Sequence, residues 1–346
     1  MRPWLRRWWL VGLLWLSACS EPEVALHVQQ SFVFGTSVEV SIAGMPEPQA
    51  QQAANAVLQE FDRLHHSLHA WKPSALSTLN AALADGRSAP VDAELQALLV
   101  DARTVSELSG GLFNPAIGGL IAAWGFQGDD FGRRLPTPAE LQPLLAARPL
   151  MGDLEIGSGR VSSRNPAVRL DLGGYAKGYA LDRAAQLLRQ HGVRHALVNI
   201  GGNILALGQR GNRPWRVGIQ HPRQSGALAV LDLHDGEAIG TSGDYQRYFE
   251  HEGRRYSHLI DPRTGQPAQG VQAVTVLFPP GPDAGTRSDA RSKPLFIASA
   301  EAWPALAQRL QAQRVLRIDA RGEVWVTSAL KSRLTFLTPV VVHEIP

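Results

Sequence analysis

Residues 171–184 read DLGGYAKGYALDRA, and no other stretch says as much about the fold. The Gly173-Gly174 pair permits a tight turn after Asp171, and the apolar spacing that follows predicts a helix over residues 175–191. Free N–H groups at the start of a helix attract anions, and Lys177 adds a positive charge one turn in. The glycines alone suit a plain strand-to-helix corner equally well, so the segment predicts either that corner or a phosphate-binding turn.

The glycines of this chain do not form a Rossmann-type dinucleotide fingerprint. That pattern needs three glycines at fixed spacing after a strand, with an acidic residue about 20 positions later. Residues 173–178 do not fit the pattern, and Gly201-Gly202 with Gly208 lacks the spacing too. The second glycine group therefore predicts a tight connection between strands.

Helical and strand periodicities alternate on both sides of the turn. Upstream, we predict a strand over residues 32–40, a helix with one apolar face over residues 54–68, and a second helix that Asp92 caps and Gly110-Gly111 ends. Residues 125–149, rich in glycine and proline, predict an irregular excursion. Downstream, the predicted elements are strands over residues 196–200, 215–219, 228–233 and 271–278, a hairpin over 245–258 that turns at Glu252-Gly253, a helix over 301–311, and a closing hairpin of 315–318 with 323–327.

The N-terminus has the order of a bacterial secretion signal. Arginines at positions 2, 6 and 7 precede an apolar run over residues 8–16, which is far shorter than the roughly 20 residues that span a bilayer. Cys19 follows small residues and so resembles the lipidated cysteine of bacterial lipoproteins, whereas ordinary cleavage beside a chance cysteine is the alternative. We therefore expect a signal peptide over residues 1–18, a lipid-anchored tether over 19–30 that starts at Cys19, and a catalytic domain over 31–346.

Charge and cysteine content exclude other classes of protein. The chain has a formal net charge of +3 and one cysteine, and residues 1–18 contain three arginines and no acid. The processed chain is then near neutral, so a nucleic-acid-binding surface is not expected. A single cysteine forms no intrachain disulfide, so a chain with 44% hydrophobic residues depends on burial for its stability.

Two further segments hold candidate catalytic or metal-binding side chains. His258 follows a predicted strand and precedes a turn-forming loop. A histidine there can transfer protons near neutral pH, although most histidines at such places only make structural hydrogen bonds. Asp289 offers oxygen ligands to a hard cation, or else caps the apolar segment that follows it.

Together these segments resemble the ApbE-type FAD:protein FMN transferases along nearly the whole processed chain. The motifs, in order, are Phe34-Gly35-Thr36, Trp71-Lys72-Pro73, SGGLFNPAIGGLIAAWGF (109–126), DLGGYAKGYALD (171–182), ALVNIGGNILALG (196–208), TSGDYQRYF (241–249), YSHLIDPRTGQP (256–267) and the segment around Asp289. So many matches in one order make a chance similarity implausible.

The resemblance implies a T-fold-like α+β domain of mixed and antiparallel sheets with packed helices, which binds FAD and Mg²⁺. It also implies that a threonine or serine hydroxyl of an acceptor protein attacks the FMN phosphorus, which releases AMP and leaves a phosphoester-linked flavin. Asp289 and the carbonyl of Gly174 would hold the metal, and His258 would be the base or a neighbour of the reacting phosphate. The residues that would line the FAD site are Phe34, Trp71, Leu112, Phe113, Asn114, Asp171 and Lys177.

Two departures from the family pattern bear on the site. Asn114 stands where the family commonly has an aspartate, and Lys293 stands where the family usually has a threonine that helps to hold the metal. A protonated lysine neutralises phosphate but cannot coordinate Mg²⁺. Lys293 therefore predicts either a replacement for part of the metal's charge or a divergent protein with weaker metal dependence.

The remaining expectations concern rival functions, partners and location. Attack by water would make the protein a metal-dependent FAD pyrophosphatase, and loss of transfer would leave a flavin-binding or maturation lipoprotein. The expected partners are FAD, the membrane through the lipid anchor, and an exported acceptor protein of an electron-transfer complex. The expected location is the periplasmic face of a membrane, with the outer membrane favoured because Ser20 follows the lipidated cysteine.

Overall fold

The structure, a computed structural model, describes residues 24–128 and 134–346. Its helices are α1 (Glu47–Ser67), α2 (Ala75–Ala84), α3 (Ala93–Leu108), α4 (Gly118–Ala123), α5 (Pro138–Ala147), α6 (Ala176–Gln190), α7 (Ala284–Ile297), α8 (Trp303–Arg309) and α9 (Ser328–Lys331). Its strands are β1 (Leu26–Val33), β2 (Thr36–Ala43), β3 (Ala89–Pro90), β4 (Leu154–Gly157), β5 (Arg160–Ser163), β6 (Ala196–Ile200), β7 (Asn203–Leu207), β8 (Trp215–Gln220), β9 (Ala227–Leu233), β10 (Ala238–Gly243), β11 (Tyr248–His251), β12 (Arg254–Ser257), β13 (Ile260–Asp261), β14 (Gln266–Pro267), β15 (Val271–Phe278), β16 (Val315–Asp319), β17 (Val324–Thr327), β18 (Leu334–Phe336) and β19 (Val342–Ile345).

A nine-stranded sheet runs through the centre of the fold. Its order is β1-β2-β6-β7-β10-β15-β16-β17-β19, and neighbouring strands pair antiparallel except β17 with β19. As predicted, Gly201 and Gly202 form the tight turn between β6 and β7, with φ angles of 56° and 91°. A Cβ at Gly201 would lie 2.6 Å from Thr36 Oγ1, so glycine is required where the two hairpins meet.

Alternating side chains along the central strands pack against two different layers. On one face, residues such as Leu205 and Val274 belong to a core shared with helices α1, α6 and α7. On the other face, residues such as Ile204 and Leu277 pack against the three-stranded sheet β18-β9-β8. Because successive side chains of a strand point to opposite faces, strands that are apolar throughout are buried on both. The predicted α+β fold of antiparallel-rich sheets with packed helices is therefore confirmed.

A smaller apolar cluster lies between α4, α5 and the hairpins β11–β12 and β13–β14. Trp124 Nε1 donates a 2.6 Å hydrogen bond to the Gly265 carbonyl, and Phe249 stacks on Tyr256 with ring centroids 5.2 Å apart. The buried members of the cluster are Ile117, Leu120, Trp124, Phe126, Leu141, Phe249 and Ile260. This packing fixes the loop that carries His258.

Some local predictions are confirmed and others are wrong. The Asp92 side chain caps α3 by accepting a 2.7 Å hydrogen bond from Leu95 N, as predicted. The predicted irregular excursion over residues 125–149 instead contains α5, which begins with a capping box formed by Thr137 and Glu140. The helix α2 and the strands β18 and β19 were not predicted, so the hairpin of β16 and β17 does not close the fold.

The predicted tether over residues 19–30 is wrong from Leu26 onward. Strand β1 starts there and pairs with β2 along its whole length, so the domain begins in that hairpin. The predicted signal peptide, Cys19 and the first residues of the tether lie outside the described residues. In the part of the chain that the structure describes, no helix is long and apolar enough to cross a membrane.

Candidate active site

A deep cavity of about 680 Å³ opens where α1, α6 and α7 meet the turns of the central sheet. Its volume is typical of pockets that bury cofactor-sized ligands. Asp289 does not line the cavity, because the Lys293 side chain covers the Asp289 carboxylate. The other residues that the sequence assigns to flavin, metal or catalysis do line it: Phe34, Trp71, Leu112, Phe113, Asn114, Asp171, Gly174, Lys177 and His258.

Glycines at a helix crossing bring the start of α6 against the first turns of α7. A Cβ at Gly178 would lie 2.4 Å from the Gly285 carbonyl oxygen, and a Cβ at Gly285 would lie 2.5 Å from the Gly178 carbonyl oxygen. Neither position therefore accepts a side chain. Gly178 N donates a 2.8 Å hydrogen bond to Asp289 Oδ2, and Asp182 accepts hydrogen bonds from Gly285 N and Thr286 N at 2.7 and 2.8 Å. The crossing thus places Asp289 directly behind the first turn of α6.

Lys177 brings a positive charge to this end of the cavity. It is half-buried in the first turn of α6, which starts at Ala176 after the predicted glycine turn. Burial lowers the pKa of its ammonium group to about 8, the Asp289 carboxylate opposes this change, and repulsion from Lys293 and Arg247 adds to it. An anionic ligand would offset that repulsion and keep Lys177 protonated.

The Asp171 carboxylate contacts both the glycine turn before α6 and the Trp71 side chain. Its Oδ1 accepts a 2.7 Å hydrogen bond from Gly173 N, and the Trp71 side chain donates another hydrogen bond to the carboxylate. Burial raises the pKa of the Asp171 carboxyl, while these two hydrogen bonds and the charge of Arg247 act in the opposite direction. The carboxylate therefore links the turn before α6 to the loop after α1.

Aromatic rings form an apolar wall near the β1–β2 turn. Phe34 and Gly35 occupy this turn with φ angles of 57° and 67°, as a type I′ hairpin requires. The Phe34 ring packs 6.1 Å from Phe61 and edge-on to His65 at 5.7 Å, measured between ring centroids. Phe113, which is buried, lines the cavity near Gly174. Planar apolar surfaces of this kind can hold an isoalloxazine or adenine ring.

Asn114 lines the cavity, and its side chain also makes two hydrogen bonds to the backbone. Its Nδ2 donates a 2.9 Å hydrogen bond to the Pro149 carbonyl, and its Oδ1 accepts a 3.1 Å hydrogen bond from Ala116 N. An aspartate could accept from Ala116 N but could not donate to Pro149. The asparagine in place of the family aspartate therefore ties the cavity wall to the segment after α5.

His258 follows β12 directly, at the strand end where the sequence places it, and its ring is oriented by the main chain. The Nδ1 atom lies 3.1 Å from the Arg247 carbonyl oxygen, which can only accept, so Nδ1 carries the proton and Nε2 presents a lone pair. Burial, together with the charges of Arg247 and Lys177, lowers the pKa of the imidazole to about 3. The ring is therefore neutral at physiological pH, which is the protonation state that a base needs.

Arg247 is a site residue that the sequence reasoning missed. Its guanidinium donates to the carbonyls of Phe126 and Gly128 at 3.1 and 2.8 Å, and the side chain lines the cavity. The sequence contains a signal for Arg247, because this arginine belongs to the motif over residues 241–249 that resembles the family. Other lining residues without a predicted role are Asn199, Thr241, Ser242, Tyr245 and Gln246.

The predicted magnesium ligands do not form an open metal site. Lys293, one turn after Asp289 on α7, donates to the Asp289 carbonyl at 2.9 Å and pairs with its Oδ1. Gly174, the other predicted ligand, lies under the Lys293 side chain, whose Cε would be 3.5 Å from a Cβ at that glycine. Within residues 24–128 and 134–346, no group of three or more His, Cys, Asp or Glu side chains could hold a metal ion.

The fold and the cavity define an α+β protein whose cavity suits a large ligand with both planar rings and negative charge. Lys177, Arg247 and Lys293 line the cavity, and Asp171 is the one carboxylate that lines it among the described residues. The aromatic wall meets these cations in a single continuous space. The sequence model of the ApbE family matches residues 34–316, and the chain belongs to that family.

Relatives with assigned names agree with this family. The FAD:protein FMN transferase of Rhodobacter capsulatus is 43% identical over 320 residues, which cover 91% of this chain and 60% of the relative. This chain therefore spans less than two thirds of that relative's length. The FAD:protein FMN transferase of Treponema pallidum is 31% identical over 365 residues, which cover 97% of this chain and 98% of the relative.

Solved structures show the same fold. The ApbE protein of Thermotoga maritima matches with a TM-score of 0.81 at 29% identity, covering 89% of this chain and 99% of that chain. The flavinyl transferase ApbE of Pseudomonas stutzeri matches with a TM-score of 0.77 at 28% identity, covering 92% and 98%. The family recognised in the sequence motifs is thus confirmed at the level of the fold.

Proposed function

We propose that this protein is an FAD:protein FMN transferase, which moves the FMN half of FAD onto a threonine or serine hydroxyl of an acceptor protein and releases AMP. The observation that carries the proposal is that His258, whose Nδ1 donates to the Arg247 carbonyl, lines one cavity with Lys177, Arg247 and Lys293. Membership of the ApbE family and relatives named for this activity support it.

The charge of the cavity suits a pyrophosphate. A pyrophosphate brings negative charge into a buried space, where uncompensated charge is costly. Lys177 and Arg247 supply fixed positive charges, and the N–H groups at the start of α6 add a partial positive charge. Bound phosphate would also raise the pKa of His258, because it offsets the cations that now lower that pKa.

The proposed step is an in-line displacement at the FMN phosphorus. The acceptor oxygen forms a bond to this phosphorus, and the bond from phosphorus to the bridging oxygen of the pyrophosphate breaks. AMP leaves with the bridging oxygen, and the proton of the acceptor hydroxyl passes to His258 Nε2, whose lone pair faces away from the Arg247 carbonyl. The cations stabilise the negative charge on the leaving phosphate as the bond breaks.

The apolar wall would hold the planar parts of FAD. Phe34 and Trp71 line the cavity from the segments that flank α1, and Phe113 lines it from the segment before α4. Asp171 orients Trp71 through the hydrogen bond that the Trp71 side chain donates. Ring burial of this kind provides affinity that depends little on the phosphate contacts.

Mg²⁺ is the cation that the family resemblance predicts, with Asp289 and Gly174 as ligands. Mg²⁺ needs oxygen ligands at about 2.1 Å in near-octahedral geometry. In this structure both carboxylate oxygens and the carbonyl oxygen of Asp289 already accept hydrogen bonds from Gly178 or Lys293. These residues do not fit a magnesium ion, so no step of the proposed reaction passes through a metal.

An accounting of products tests the proposal against its rivals. The protein is incubated with FAD and a threonine-containing acceptor protein, and AMP, free FMN and flavin-modified peptide are quantified by mass spectrometry. Transfer predicts equal amounts of AMP and modified peptide, and a serine or threonine to alanine change in the acceptor abolishes both. Free FMN and AMP without acceptor would make the protein a pyrophosphatase, and unchanged FAD would leave a flavin-binding or maturation role.

We also propose export and lipid anchoring through Cys19, at the periplasmic face of a membrane and most simply the outer membrane. The support is the order of basic, apolar and small residues before this cysteine and Ser20 after it. The acceptor would then be an exported protein of an electron-transfer complex. Intact mass of the membrane-extracted protein tests the anchor: a lipidated Cys19 is expected, and Cys19→Ser should release the protein from membranes. An unlipidated N-terminus at another residue would refute the anchor.

A further inference from the structure

The oxygens around Asp289 form a closed set of contacts with protein groups. Asp289 is fully buried, and its Oδ2 accepts a 2.8 Å hydrogen bond from Gly178 N. Its carbonyl accepts from Ser292 Oγ at 2.8 Å and from Lys293 Nζ at 2.9 Å, and Ser242 Oγ lies 2.7 Å from Ser292 Oγ. Both lone pairs of that carbonyl are therefore in use.

Lys293 lies where a cation chelated by Asp289 would have to lie. Its ammonium contacts the carbonyl oxygen and Oδ1 of Asp289 together, and these are the two oxygens that the residue could offer to one ion from the side of the cavity. The methylene groups of Lys293 pass over Gly174, the other predicted ligand. A protonated lysine and a divalent ion cannot share these oxygens, because their positive charges repel and the lone pairs are already occupied.

Lys293 also reaches the cavity. Its side chain is 12% exposed and lines the cavity, whereas Asp289 behind it is fully buried. An ammonium group has three N–H donors, and the two contacts with Asp289 use two of them. The third donor is available to a phosphate oxygen of a ligand in the cavity.

We propose that Lys293 is the resident cation of this active site, so that the protein binds the pyrophosphate of FAD and transfers FMN without a divalent metal ion. This inference rests on the proposed function for its choice of ligand. Asp289 holds the ammonium in place, and Ser292 and Ser242 hold the Asp289 carbonyl. Asp289 is then a positioning residue for Lys293 and not a metal ligand.

The test measures binding of Mn²⁺, as a spectroscopic substitute for Mg²⁺, by electron paramagnetic resonance on the full-length protein with and without FAD. Up to about 1 mM Mn²⁺, the unmodified protein should show no saturable Mn²⁺ site other than the Mn²⁺ that FAD binds without protein. Lys293→Thr exposes the Asp289 oxygens and adds a hydroxyl, so this variant should gain a Mn²⁺ site. A submillimolar site in the unmodified protein that Asp289→Asn removes would overturn the proposal.

A second experiment measures FAD affinity by flavin fluorescence titration. Lys293→Met keeps the length of the side chain without its charge and should weaken FAD binding about tenfold or more, both with Mg²⁺ and in EDTA, because a charged hydrogen bond is lost. The double variant Lys293→Met with Asp289→Asn removes both members of the buried pair and covers the case in which the single variant unfolds. Unchanged FAD affinity in the folded double variant would refute a role for Lys293.

Neither measurement needs turnover, so the inference and the proposed function fail separately. FMN transfer that stops in EDTA and returns with Mg²⁺ would overturn the inference and support the function. Absent transfer, together with metal-independent FAD binding that needs Lys293, would support Lys293 as the resident cation that binds FAD and would remove the proposed transfer.

Discussion

Replacing His258 with asparagine gives the sharpest prediction, because the change should affect both catalysis and acid stability. Asparagine keeps a donor for the Arg247 carbonyl, which accepts from His258 Nδ1 at 3.1 Å, but it has no basic Nε2. If Nε2 accepts the proton of the attacking hydroxyl, FMN transfer should fall by about 10² to 10⁴. FAD affinity should change only a few-fold, since the phosphate cations remain.

The stability effect follows from the pKa of the partly buried imidazole, which is lowered to about 3 in the folded protein from a usual value of 6.5. Below pH 6.5 the unfolded chain binds a proton at His258 that the folded chain does not. The contribution of His258 to the free energy of unfolding is therefore fully present above pH 6.5 and is lost as the pH falls. One pKa unit corresponds to about 1.4 kcal/mol, so acidification from pH 8 to pH 5 should cost about 2 kcal/mol through this residue.

Urea denaturation at pH 8 and pH 5 measures this cost in the unmodified domain and in His258→Asn. The loss of unfolding free energy on acidification should be about 2 kcal/mol smaller in the variant. An equal loss in both proteins would mean that His258 is not buried as a neutral ring. A variant that keeps more than a tenth of the transfer rate would show that His258 is not the base.

The remaining predictions concern the walls of the site. Asn114→Asp should lower the free energy of unfolding at pH 7 by about 1 to 3 kcal/mol, because the Pro149 carbonyl loses its donor; a chemical denaturation curve that does not shift would contradict this. Gly178→Ala should lower the free energy of unfolding by about 3 kcal/mol, because the new Cβ would lie 2.4 Å from the Gly285 carbonyl oxygen. Gly157→Ala is the matched control: no atom lies within 4 Å of its new Cβ, so it should have little effect on the same curve. Arg247→Met should weaken FAD binding about tenfold or more in a fluorescence titration, and an unchanged affinity would place the pyrophosphate elsewhere.

The parts of the site that the sequence predicts are those fixed by local geometry. The turn at Gly173-Gly174 and the placement of Lys177 in the first turn of α6 lie as predicted, although neither glycine has a positive φ. His258 lies directly after β12, whose pairing with β11 ends at Ser257. Such features depend on a few neighbouring residues, so the pattern of the chain contains them.

Contacts between distant segments were not predictable in the same way. Arg247 reaches carbonyls about 120 positions away, and the strand β1 is recognisable only through its partner β2 and the hairpin between them. The cover that Lys293 places over Asp289 requires α7 to stay helical up to Lys293, although the following Pro294 disfavours helical conformation in the residue before it. Burial of that segment between α6 and the central sheet outweighs the local preference, and no spacing rule gives that balance.

A crystal structure of the domain soaked with FAD and free of divalent ions would test the central claim most directly. The account predicts the pyrophosphate in the cavity within hydrogen-bond distance of Lys177 and Lys293, and the FMN phosphorus on the side of His258 Nε2. FAD bound outside this cavity, or a cation that displaces Lys293 from Asp289 when divalent ions are restored, would contradict it.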